Sequence, residues 1–117
     1  MTRVVIALAL FFSLTGSALA SRPPTRTERA AITNALPSYV KRLPTTCVTV
    51  RTRVANNGRY ARAWLQFRQA DDCGLTASNG QWFLRKTARG WRVVYVGSDP
   101  PPCRLGVPRD LTTCIRG

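Results

Sequence analysis

Four cysteines, Cys47, Cys73, Cys103 and Cys114, are the residues of this chain best suited to covalent chemistry. Catalysis by a thiol needs an activating base, and the sequence contains no histidine. Cys-His and Ser-His-Asp catalysis, His-ligated metals and a histidine general base therefore drop out together. A structural zinc site brings its cysteines in close pairs, whereas the smallest gap here, between Cys103 and Cys114, holds ten residues. Disulfides are the reading that remains. Four cysteines allow three connectivities, and the favoured one joins Cys103 to Cys114 across a short Pro-rich loop and Cys47 to Cys73. Each closure would contribute on the order of 3 kcal/mol, mostly by restricting the unfolded chain.

Carboxylates are scarce: Glu28, Asp71, Asp72, Asp99 and Asp110. Glu28 reads as a helix-capping residue, Asp99 as a turn before a proline run, and Asp110 as a first-turn residue whose charge suits a helix dipole. Asp71-Asp72 is the one acidic pair. Neighbours in a loop do not give the separation of roughly 5–9 Å that paired-carboxylate hydrolysis needs, and calcium would want more oxygen ligands. There is no Gly-rich phosphate loop, nucleophile elbow or Ser-x-x-Lys motif. The expectation is a non-enzymatic protein with no metal and no cofactor.

What remains is charge. Lys plus Arg number 18 against 5 acidic residues in 117, for a net charge of +13. Sixteen of the basic residues are arginine, a bias that GC-rich coding produces without selection for binding. Whether the charge forms a surface depends on the elements that carry it.

Residues 1–20 read as an export signal: a basic start at Arg3, an apolar run over 4–14, and Ala18-Leu19-Ala20 as the cleavage pattern, with the cut after Ala20. The run is too short for the roughly 20 residues of a membrane span, and no later segment could cross a bilayer. Export leads to an oxidising compartment, which suits the disulfides. Loss of Arg3 with the leader leaves +12. A polar, flexible tail is expected over 21–26, followed by a single domain over 27–117.

Thr25 and Glu28 fit a capping box that opens a helix over 26–36. Ile32, Leu36, Val40 and Leu43 recur at helical spacing, and Pro37 should kink or split that helix. Residues 48–54 and 59–67 alternate as strands around Asn57-Gly58, a two-residue hairpin signal. That loop pairs Val54 with Ala61, Thr52 with Ala63, Val50 with Leu65 and Val48 with Phe67, so both apolar sides coincide. The outward pairs are Arg53 with Arg62 and Arg51 with Trp64, where Arg51 could stack on the indole.

Residues 69–80 read as a polar loop. Residues 81–86 and 91–98 form a second hairpin around Ala88-Arg89-Gly90. A three-residue loop would pair Leu84 with Val94 and a four-residue loop Leu84 with Val93; the first is preferred because Gly90 suits a left-handed position. Pro108 should open a short helix to about Thr113. The assembled expectation is an α+β fold. An N-terminal helix packs on a four-stranded antiparallel meander of two hairpins, followed by a short C-terminal helical turn and stapled by two disulfides. The element order suggests a cystatin-like arrangement by analogy.

Trp91-Arg92-Val93-Val94, Cys103, Val107-Pro108, Asp110-Leu111 and Cys114 resemble a pattern in small, uncharacterised exported proteins of high-GC bacteria, especially actinobacteria. The likeness covers roughly residues 46–115. It implies the fold and supports the Cys103–Cys114 pairing; Cys47–Cys73 is outside the pattern, and no activity or site follows from it.

Two functional expectations follow. The first is a secreted domain that contacts anionic envelope or extracellular polymer, or an acidic protein, through Arg51, Arg53, Arg62 and Trp64, without stable membrane insertion. The alternative is a stapled interaction or inhibitor domain acting through the 69–80 loop.

Overall fold

A computed structural model describes residues 20–68, 73 and 80–116. The expected leader lies outside them apart from Ala20, as does all of the 69–80 loop except Cys73 and Gly80.

The order of elements is α1 (Arg26–Ala35), α2 (Ser38–Lys41), β1 (Val48–Val54), β2 (Tyr60–Phe67), β3 (Gln81–Thr87) and β4 (Gly90–Gly97), then a 3-10 turn at Cys103–Leu105. The four strands form one antiparallel sheet in the order β1-β2-β3-β4.

The capping box closes as expected: the Glu28 amide donates to Thr25 Oγ1 at 3.1 Å and the Thr25 amide to Glu28 Oε1 at 3.0 Å. Pro37 splits the helix in two, since it has no N–H to continue the ladder. Ile32, Leu36 and Val40 keep one stripe across the break and pack with Val54, Ala61, Ala63, Trp82, Leu84 and Trp91. Full burial of a side chain such as Ile32 or Leu84 stabilises by about 1.5–3 kcal/mol.

Residues 21–26 are tied down rather than free. Arg22 exchanges both backbone hydrogen bonds with Val54 at 2.8 Å. Its guanidinium holds Glu28 through two bonds, at 2.7 and 2.9 Å. A free tail was expected from its polar, proline-containing composition; the open edge of β1 supplies partners that composition cannot reveal.

The first hairpin has the expected register, Val54↔Ala61 through Val48↔Phe67. Its turn differs from the expected two-residue loop. The Ala55 amide donates to the Tyr60 carbonyl and the Gly58 amide to the Ala55 carbonyl, each at 2.8 Å. Only Gly58, at φ +73°, takes the left-handed conformation there, while Asn57 stays at negative φ. A four-residue loop thus gives the same pairing as a two-residue one, because each end of the loop lengthens by one residue.

The second hairpin combines both candidate registers. Near the turn Leu84 pairs with Val93 and Thr87 with Gly90; beyond it Phe83 pairs with Tyr95 and Trp82 with Val96. Val94 is the extra residue of a β-bulge. The bulge leaves Trp91 and Val93 with the helices while Val94 and Tyr95 both pack against a second cluster of Ala55, Phe83, Val107 and Leu111. The preferred uniform register fails because strict alternation would send Val94 to the helix side.

This second cluster is the C-terminal segment lying on the opposite face of the sheet. The expected helix over 108–113 is replaced by the 3-10 turn at Cys103–Leu105 and one bonded turn from Pro108 to Leu111. Asp110 does not cap a helix; it accepts the Asn56 amide at 2.6 Å and so fastens the segment to the first hairpin. Both disulfides form as expected, Cys47–Cys73 and Cys103–Cys114.

Candidate anion-binding face

We call the side of the sheet under α1 and α2 the helix face and the other the outer face. The strands carry Arg51, Arg53, Arg62, Arg85, Lys86 and Arg92 and no carboxylate. Alternation sends Lys86, opposite Trp91, to the helix face and the five arginines to the outer face. Among the described residues one ion pair forms, Arg22 with Glu28.

The register brings the four expected residues together, with Arg53 opposite Arg62 and Arg51 opposite Trp64. Their roles separate in three dimensions. Arg53 is half-buried and bonds to the backbone carbonyl and hydroxyl of Ser21. Arg62 is half-buried as well: its guanidinium lies 5.0 Å from the Trp64 ring centroid and reaches the Leu111 carbonyl at 3.5 Å. The cation stacked on the indole is therefore Arg62, two residues away on the same strand, and not Arg51 from across the pair. Arg51 is exposed and donates to Gln66 Oε1 instead. Two of the four arginine and tryptophan positions thus organise the fold as much as they offer charge to solvent.

Arg51 opens onto a polar cleft of about 310 Å³ that also presents Thr45, Thr46, Thr49, Gln66 and Arg68. Two exposed guanidiniums stand with three threonine hydroxyls and an amide, beside the buried Cys47. Such a set can hold an anion through charge-assisted hydrogen bonds. Gln66 was legible in the register, which sets it opposite Thr49 on the outer face. The contribution of Thr45 and Thr46 was not, since they belong to a turn before β1.

Arg62 Nε and Gln81 Oε1 are buried with no hydrogen-bond partner among the described residues. Gln81 sits opposite Trp64 on β3 and is only 9% exposed. Unmet buried polar atoms each cost roughly 1–3 kcal/mol.

The alternative site, the 69–80 loop with Asp71 and Asp72, lies outside the described residues. No group of three or more metal-ligating side chains occurs among those described. No helix among them is long and apolar enough to cross a membrane. No protein-family model, curated protein or solved structure matches the chain.

Proposed function

We propose that this chain is a small exported binding domain, without catalytic chemistry, that contacts an anionic polymer of the envelope or extracellular space. The reading rests on one observation above all: a sheet whose strands hold six basic residues and no carboxylate, with Arg51 and Arg68 facing one open polar cleft. Two disulfides are compatible with an oxidising compartment. The contact is electrostatic and salt-sensitive, because the guanidiniums are exposed and screened by mobile ions. Arg62 and Trp64 supply a flat, cationic platform on the same face, with Trp64 opposite Arg51.

The test is retention of the oxidised protein on heparin across a salt gradient. The double variant Arg51→Ser with Arg68→Ser should elute at clearly lower salt, corresponding to about a tenfold loss of affinity. Arg26→Ser with Arg89→Ser removes the same charge from exposed positions on α1 and at the β3–β4 turn, and should elute near the native protein. Equal shifts for the two double variants would mean that net charge alone binds, and the cleft would lose its role.

A further inference from the structure

The outer edge of β1 offers a second kind of recognition. Val54 turns its amide and carbonyl away from β2, and both are taken by Arg22. Alternation along the strand directs the backbone groups of Thr52 and Val50 the same way. Neither residue has a backbone partner on that side among the described residues. The tail does not continue the ladder because Pro23 and Pro24 follow Arg22 and have no N–H to give. The opposite edge of the sheet is handled differently, with a bulge at Val94 and prolines at positions 100–102 just beyond the strand.

Beside the open edge, between it and the helices, runs a groove of about 490 Å³. Val40, Leu43, Val48 and Val50 give it an apolar floor, and Arg29 and Lys41 give it a basic rim. Backbone donors and acceptors, a place for alternate apolar side chains and a cationic border thus occur along one line.

We propose that the β1 edge takes up an extended segment of a partner protein by strand addition, with an acidic side chain opposite Arg51 and apolar side chains entering the groove. Strand addition draws affinity from main-chain hydrogen bonds and specificity from pockets that receive every second side chain. Arg51 is exposed on the outer face, while Val50 and Thr52 point to the helix face, so the matching segment reads apolar–acidic–apolar. Charge selects a foreign strand over a second copy. Two β1 edges would bring together strands that each carry Arg51 and Arg53 and no acid, which like-charge pairing disfavours. This edge adjoins the polymer cleft, sharing Arg51 with it while its groove shares Thr45 and Thr49, so the test leaves all three unchanged.

A fluorescein-labelled Val-Glu-Val-Glu-Val peptide is titrated against the oxidised protein at physiological salt, beside the block isomer Val-Val-Val-Glu-Glu. The alternating peptide should bind at least about tenfold more tightly than its isomer, and should slow amide exchange at Val50 and Thr52. Thr52→Pro removes an outward N–H and leaves every bond to β2, so it should weaken that binding about tenfold with heparin retention unchanged. Equal binding of the two peptides, or unaltered exchange at Val50 and Thr52, would overturn the proposal. So would a concentration-dependent dimer that Thr52→Pro dissociates, since a second copy would then occupy the edge. Should the proline variant not fold, the exchange measurement on the native chain decides alone.

Discussion

The helix face and the outer face are made by the same four strands, yet they are closed in different ways. On the helix face two short helices cover a continuous apolar cluster around Trp82 and Leu84. On the outer face a segment with one 3-10 turn covers only the part around Phe83, and arginines take the rest. A helix buries a stripe and satisfies its own backbone. An irregular segment must be held by other means, here the Cys103–Cys114 disulfide, the Asp110 carboxylate on the Asn56 amide, and the Tyr60 hydroxyl on the Leu105 carbonyl at 3.3 Å. The difference teaches that the outer face is half core and half surface, and that its arginines begin where the stapled segment ends.

The sharpest way to break this comparison is to empty each face in turn. Leu84 and Phe83 are adjacent on β3, both fully buried, and point to opposite faces. Phe83→Ala should destabilise by about 3–5 kcal/mol and Leu84→Ala by about 2–5 kcal/mol in urea unfolding. A cost under 1 kcal/mol for Phe83→Ala would show that the C-terminal segment is no more than a loose flap.

Removing the staple asks the same question more gently. Replacing Cys103 and Cys114 with Ser opens a closure of 11 residues and should cost about 3 kcal/mol. Amide exchange should quicken at Cys103 and Ile115, which are bonded across the segment, while α1 stays protected. Uniform loss of protection across both faces would mean the two are not separable units.

The smallest effect lies on the helix face. The Arg22 guanidinium, through its hydrogen bonds, holds the Glu28 carboxyl at about 2 against an ordinary 4.5. Burial opposes that shift, and the Thr25 amide and the charge of Arg22 support it. A carboxyl whose pKa is lower in the folded state stabilises fully above its unfolded value. This contribution is therefore present above about pH 4.5 and disappears as the pH falls toward 2. The Arg22 side chain is 39% exposed, so solvent screens the pair and its worth is about 1 kcal/mol. Glu28→Gln should lower stability by about that much at pH 7 and by almost nothing at pH 2, measured by urea unfolding at both. An equal cost at both values would assign the effect to helix capping alone.

Much of this architecture was legible because it rests on local rules. Thr25 and Glu28 announce the helix start, Pro37 its break, and strict alternation through residues 48–54 and 59–67 specifies which side chains oppose each other. From that register alone Arg51, Arg53, Arg62 and Trp64 belong on one face, and the spacing of the cysteines favoured the two bonds that form. Tertiary structure decided everything that depends on distant partners. Nothing near Val94 in sequence signals a bulge; it arises because two unlike surfaces, helices on one side and residues 103–111 on the other, must both be filled. Asp110 leaves its expected helix, and its carboxylate accepts the Asn56 amide from the distant first hairpin instead. Arg53 and Arg62 are drawn from the free charge into contacts with Ser21, Trp64 and Leu111, and the open cleft passes to Arg51 and Arg68. Composition counts charges, but only packing settles which guanidiniums still face water, because a long side chain takes whichever carbonyl or ring the fold brings to it.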